Sequence, residues 1–282
     1  MSIQNFRPEI WSANLLVATR KTLVYGDCVN RDYEGEIAEA GDTVRITSIG
    51  RPTIKTYVPN NTNIVPDEVN DSQRTLVVDQ SKFFAFAVDD IDARQAKGDV
   101  IPQSMNEAGY ALADVIDQFI AQNMYLGVQS VNQLGSISIA ANTPTDFYDK
   151  VLVPLKIKLD LANIPTEGRW ITVRPEAHGA LLRDARFIRA NEAGTTEALR
   201  NGLVGRAAGF DIKVSNNAPN TTGSEYVTIA GTNAAYTFAE QLNKVEAYRP
   251  QSSFSDAVKG LALYGGKLVR PDFLASALVT VN

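Results

Sequence analysis

Cysteine, histidine and blocks of like charge are what this chain has least of. One cysteine, Cys28, and one histidine, His178, stand in 282 residues. A lone thiol cannot close an internal disulfide, and a reducing cytoplasm fits. The spaced signatures H-E-x-x-H, C-x-x-C and G-x-S-x-G are all missing, so no metal, thiol or serine chemistry is positively signalled. No apolar stretch approaches the ~18 residues of a membrane-spanning helix. Residues 1–10 lack both the basic head and the apolar run of a secretory signal. Lys and Arg number 27 against 32 Asp and Glu, for a net charge of -5, and the two signs are mixed along the chain. With no basic tail, strong neutralisation of a nucleic-acid backbone is not expected. What remains is ample: at 44% hydrophobic residues the chain can build one large domain or two modest ones.

The clearest element is a helix over residues 102–126. Met105, Ala108, Leu112, Val115 and Phe119 recur at steps of three and four, and Ile116 and Ile120 widen that stripe. Glu107, Tyr110, Asp114 and Asp117 fall opposite and are expected to face water or a neighbour. Asp99 suits a cap, Pro102 the first turn and Gly127 a stop. Such a rod, roughly 37 Å long, crosses a whole domain as a brace.

Ahead of it, residues 1–7 form an arm and 8–24 a helical pattern opened by Pro8. A strand-rich section follows, with strands expected over 42–49, 53–58, 75–78 and 83–88 and a Pro/Asn/Asp-rich tip over 59–72. Together these predict a long two-stranded arm that encloses no core of its own. A ribbon of that kind is marginal alone in water and gains by lying across another molecule. Arg45, Lys55, Tyr57 and Arg74 on the arm, with Asp89, Asp90 and Asp92 at its exit, are therefore the candidate intersubunit contacts.

Behind the brace, Ile137 and Ile139 are strand-like, and Thr143-Pro144-Thr145-Asp146 signals a helix carrying Phe147, Leu152, Leu155 and Leu159, with a kink at Pro154. A strand over 170–173, a helix over 175–183, a polar stretch over 189–201, a strand over 210–214 and turns over 216–223 suggest an α/β lobe. Strands over 245–248, 260–264 and 274–281 close the chain, the last tucked into a sheet.

Chemical sites read weakly. His178 lies mid-helix, and Cys28 in a turn with no base nearer than Arg31, so a helix-face histidine and an inert buried thiol are expected. Asp89, Asp90 and Asp92 lack the glycine and terminal glutamate of a calcium loop, which favours ion pairing over a cation site. Gly260 with Gly265-Gly266-Lys267 misses the phosphate-loop spacing, since Leu261 and Leu268 stand where Gly and Ser/Thr belong. Gly202, Gly205 and Gly209 lack the dinucleotide spacing. Both sets are expected as turn glycines, and no cofactor or metal is expected.

The order of parts, and several stretches, resemble a known family. The stretches are Phe6-Arg7-Pro8-Glu9-Ile10-Trp11, Val29-Asn30-Arg31-Asp32-Tyr33-Glu34-Gly35-Glu36-Ile37, Gly41-Asp42-Thr43-Val44 and Asp71-Ser72-Gln73-Arg74-Thr75-Leu76. They continue with Asp89-Asp90-Ile91-Asp92-Ala93-Arg94-Gln95, Thr196-Glu197-Ala198-Leu199-Arg200-Asn201-Gly202 and Gly205-Arg206-Ala207-Ala208-Gly209-Phe210-Asp211. Over nearly its whole length the chain resembles the tailed-bacteriophage major capsid proteins of the Hong Kong 97-type fold.

The resemblance implies an α+β chain that is a structural protein, not an enzyme. Residues 1–33 would be an N-terminal arm and 34–88 an extended β-hairpin loop. Residues 89–144 with 245–282 would form a peripheral domain around the spine helix, and 145–244 an α/β axial domain. It also implies self-assembly into pentamers and hexamers of an icosahedral head, a portal protein, and packaged double-stranded DNA held without sequence-specific contacts. The expected location is the virion, with assembly in the host bacterial cytoplasm and no membrane. Met1 leads straight into the arm, so a separate scaffolding protein is expected. Lys55 lies in the crosslinking arm of some relatives, but its partners cannot be assigned and no crosslink is predicted. The rival within the fold is an encapsulin-like compartment around a cargo enzyme.

Overall fold

The computed structural model describes residues 23–32, 43–49, 54, 56, 71–89, 100–140, 143, 145–184, 205–251 and 255–281. Of the helix expected over 8–24 only Leu23 and Val24 are described, neither of them helical, and the polar stretch over 189–201 lies outside the described residues. Among the described residues the chain forms three sheets braced by one long helix.

That helix, α1, runs Val100–Gly127, about 42 Å at 1.5 Å per residue. Met105, Leu112, Ala113, Ile116, Ile120, Ala121 and Met124 are buried along it. The buried arc is turned from the expected one. Val115 is 40% exposed, while Asp117, expected outside, is 1% exposed. Ala113 and Ala121 explain the turn, because their short side chains let the helix approach the core on that flank. Bulk at 115 and 119 is left at the rim.

Strands β1 (Thr43–Ile49) and β2 (Asp71–Val77) form an antiparallel two-stranded ribbon, in register from Thr43 opposite Val77 to Ile49 opposite Asp71. Of the strand expected over 53–58, only Ile54 and Thr56 are described, and neither lies in a strand. The next strand, β3 (Gln80–Asp89), leaves the ribbon. It is bonded instead to the long strand β11 (Ser255–Leu268), itself paired with β10 (Tyr236–Tyr248). One face of this three-stranded sheet packs on α1 through Phe84, Phe86 and Val258 against Met105 and Ala108.

Gly265 and Gly266 are mid-strand in β11, not in turns as expected, and Gly260 lies in the strand that was expected over 260–264. Each marks a close approach. A Cβ at Gly265 would lie 2.3 Å from the carbonyl oxygen of Val77, where the ribbon crosses the sheet. Gly209, with φ of +84°, does sit at the turn expected for it, between β6 (Arg206–Ala207) and β7 (Phe210–Val214).

The third sheet is seven-stranded and mixed. Its order is β4 (Gln133–Ile139), β12 (Leu274–Val281), β9 (Glu225–Thr232), β5 (Arg169–Val173), β7 and β6, with β8 (Asn220–Thr222) on β9. The tucked final strand is borne out: β12 lies between β4, parallel, and β9, antiparallel. Against this sheet pack α2 (Thr145–Phe147), a π-turn over Tyr148–Leu152, α3 (Val153–Leu161) and α4 (Pro175–Arg183). The kink expected at Pro154 takes the form of that π-turn. Proline has no N–H to donate back and its ring crowds the preceding turn, so the turn widens. Phe147, Leu152, Leu155 and Leu159 are all fully buried.

Candidate assembly surfaces

The ribbon has an anchored base. Leu76 and Val78 are buried with Ala239 and Leu263, and Val269 packs on them. Arg74 reaches across the foot of the ribbon, its Nη1 donating to the carbonyl of Leu268 at 2.9 Å. Beyond that base, among the described residues, no third strand joins β1 and β2. Ile54 is 97% exposed.

A second surface is the face of the three-stranded sheet turned away from α1. Alternation along β3 puts Phe83, Ala85 and Ala87 on that face. Phe83 is 79% exposed and stands opposite Leu261 of β11, itself partly exposed. Beside them Lys259 pairs with Glu246 at 2.9 Å and lies over the ring of Tyr248. Among the described residues nothing pairs with the outer edge of β3. Apolar side chains, an ion pair and an open strand edge together make a surface suited to another polypeptide.

Where α1, the N-terminal segment and the α/β lobe converge, Asp117 accepts three hydrogen bonds. The N–H groups of Tyr25 and Gly26 donate to Oδ1 at 2.7 and 3.3 Å, and Asn217 Nδ2 donates to Oδ2 at 3.2 Å. Burial pushes its carboxyl above the ordinary range, and these donors pull it partly back. Helix periodicity sets Asp117 on the outer face, with no role. The available signal was its place beside Ile116 on the alanine flank of the helix.

Of the candidate contacts, Arg74 is described as above. Arg45 and Asp89 are placed only as members of β1 and β3. Arg45 and Arg74 fall on the two paired strands of the ribbon, one step apart in register, and Lys55, Tyr57, Asp90 and Asp92 lie outside the described residues. Among the described residues no three His, Cys, Asp or Glu side chains converge on one point, and no helix is long and apolar enough to cross a membrane. Cys28 is buried, donates to the carbonyl of Val24, and has its thiol pushed up to about 12 by desolvation. His178 lies on α4, its pKa lowered by burial.

The fold recurs in solved phage particles. A chain from Mycobacterium phage Che8 is 32% identical and superposes with a TM-score of 0.73, covering 90% of each chain. The capsid of cyanophage P-SCSP1u shares the fold at 18% identity and a TM-score of 0.69, over 87% of this chain and 85% of that one. The chain belongs to the bacteriophage major capsid proteins. Its fold is the Hong Kong 97-type fold of that family, and it is a capsid component of the virion.

A virus-like particle from Pyrococcus furiosus also matches this capsid protein, at 15% identity and a TM-score of 0.59, over 95% and 98% of the two chains. At that identity the likeness shows the fold alone. No family model matches the chain. One curated relative, an aminomethyltransferase of Corynebacterium jeikeium, is 23% identical over 160 residues. That match spans 53% of the capsid protein and 39% of the enzyme.

Proposed function

We propose that this capsid protein assembles through its β-arm into the pentamers and hexamers of an icosahedral head that holds double-stranded DNA. The observation that carries this reading is the β1–β2 ribbon, whose two seven-residue strands are joined by no third strand among the described residues. A ribbon in that state gains stability when it lies on another subunit. The face bearing Phe83 and Leu261 offers such a landing surface.

Residues 34–88 then act as the overlapping loop, although the return strand β3 is bonded into the sheet with β10 and β11. Residues 1–33 form the arm, 89–144 with 245–282 the peripheral domain, and 145–244 the axial domain. Arg45, Lys55, Tyr57 and Arg74 of one copy meet acids of the next, with Asp89, Asp90 and Asp92 as the candidates. A separate scaffolding protein shapes the shell, a portal protein occupies one vertex, and assembly takes place in the host bacterial cytoplasm. A net charge of -5 suits DNA packaged without charge-neutralising tails. The role is structural rather than catalytic.

The test replaces residues 45–75 with an Asn-Gly turn between the paired Val44 and Leu76, which shortens the ribbon and keeps Leu76 and Val78 at its base. Sedimentation and electron microscopy of both chains expressed in bacteria are the readout. The wild type should form capsomers and shells, and the shortened chain capsomers or monomers only. Shells of normal size from the shortened chain would refute the role of the arm, and shells filled with a cargo enzyme would point to the compartment reading. Assembly should also weaken between about 0.05 and 1 M salt. An unchanged yield would count against the ionic contacts.

A further inference from the structure

Asp117 puts a carboxylate on the buried flank of α1, beside Ala113, Ile116 and Ala121. Its carboxylate forms no ion pair among the described residues and is held by neutral donors from two segments remote in sequence. Tyr25 and Gly26 open a 3-10 turn over Tyr25–Cys28. The first N–H groups of such a turn have no partner within it, so the carboxylate of a distant helix serves as its cap. A few residues on, the backbone of Asn30 is bonded on both sides to β10, donating to the Tyr236 carbonyl and accepting from the Phe238 N–H. The N-terminal segment is thus pinned at two points, one of them Asp117. Through Oδ2 the same carboxylate holds Asn217, in the turn between β7 and β8 of the α/β lobe.

Burying a carboxylate is costly unless its lone pairs are satisfied, and a leucine here would avoid that cost. An apolar residue, however, could not hold both the backbone of 25–26 and the side chain of 217. The acid specifies position at the expense of stability.

We infer that Asp117 is a latch that fixes the N-terminal segment and the 215–217 turn in a single register on α1. It thereby sets how the α/β lobe sits on the spine helix, and from what point the N-terminal segment meets a neighbouring copy. The part about the neighbour rests on the proposed assembly, whereas the latch itself can be read on the unassembled subunit.

Amide hydrogen exchange on the unassembled full chain tests the latch with Asp117→Ala, Asp117→Asn and Asn217→Ala. In Asp117→Ala the Tyr25 and Gly26 amides should exchange at least ~10-fold faster, while amides of the buried strand β5 keep their rates. Asp117→Asn retains an acceptor oxygen and should stay within about 3-fold of the wild type. Asn217→Ala should loosen 215–217 alone. Rates for Tyr25 and Gly26 within about 2-fold of the wild type in Asp117→Ala would overturn the latch. So would loosening of those two amides in Asp117→Asn equal to that in Asp117→Ala. If Asp117→Ala does not fold, the other two variants decide, and protection of 215–217 in Asn217→Ala overturns the claim. Shell yield should fall at least ~10-fold in Asp117→Ala and recover in Asp117→Asn. Normal shells from a subunit with loosened amides would detach the latch from assembly. A wild type that forms no shells would indict the assembly reading instead.

Discussion

Replacing Gly265 by alanine is the sharpest test of how the ribbon is seated. The added Cβ would lie 2.3 Å from the Val77 carbonyl oxygen, 2.8 Å from the Val78 Cα and 3.0 Å from the Val77 carbonyl carbon. All three are backbone atoms, so no rotamer change relieves the clash. Either β11 bends away from β10 or the 77–78 crossing lifts off the sheet. Lifting it would pull Leu76 and Val78 out of their pocket against Ala239 and Leu263. Overpacking costs about 1–3 kcal/mol where side chains can yield, and a rigid backbone neighbour puts this substitution at about 3 kcal/mol or more. For a chain of this size that corresponds to a drop in Tm of roughly 6–12 °C. Gly135→Ala is the control, because a Cβ there meets nothing within 4 Å. It should be neutral, or stabilise by about 0.4–1 kcal/mol through the unfolded chain. Denaturant unfolding of the unassembled subunits gives both numbers. If Gly265→Ala falls within about 0.5 kcal/mol of the wild type, the seating of the ribbon on β11 is wrong.

Three further outcomes are expected. With its thiol pushed up to about 12, Cys28 should react with an aromatic disulfide at pH 8 at least ~1000-fold more slowly in the folded subunit than in guanidinium. A native rate within tenfold of the unfolded one would show that the thiol is accessible. Asp117 has a folded pKa raised by burial, with Tyr25, Cys28 and Asn217 facing it. Its titration therefore stabilises the fold below the ordinary carboxylate value of about 4 and loses that contribution as pH rises through the folded value. Asp117→Asn should thus be no less stable than the wild type at pH 7 and lose ground to it as pH falls, as read by denaturant melts. Arg169 is buried and donates to Asp160 Oδ1 at 2.6 Å, the Pro165 carbonyl at 2.8 Å and the Ile164 carbonyl at 2.6 Å. Arg169→Met should cost about 2–4 kcal/mol, and Arg169→Lys should recover less than half of it, since an ammonium cannot match the three-way fork. Full recovery by lysine would mean that charge alone matters there.

How much was legible follows the physics of each element. The helix Pro175–Arg183 and the strand Phe210–Val214 match their expected bounds. A proline in the first turn and a glycine turn punctuate them locally. Strand β9 escaped notice because it is buried on both faces for most of its length, which removes alternation, and its Ala230 and Gly231 carry no β-forming bulk. Val115 and Asp117 were exchanged between core and surface because periodicity fixes the spacing of a stripe, not its centre. The centre is chosen by small residues such as Ala113, whose importance lies in what they let approach. The glycines of β11 read as turns for a related reason: local sequence cannot distinguish a bend from a crossing by a segment nearly two hundred residues away. The seating of the ribbon was invisible on the same ground, whereas its existence as an unsupported pair was not.

The parallel pairing of β4 with β12 has a consequence for synthesis. The chain makes β4 some 140 residues before the strand that will cover it, an interval of roughly 7–28 s at 5–20 residues per second. Until then Gln133–Ile139, which carries no charge, offers bare backbone to any other nascent chain. On a crowded polysome that delay gives mispairing time to compete with folding, so shielding of newborn chains would raise the yield of usable subunits.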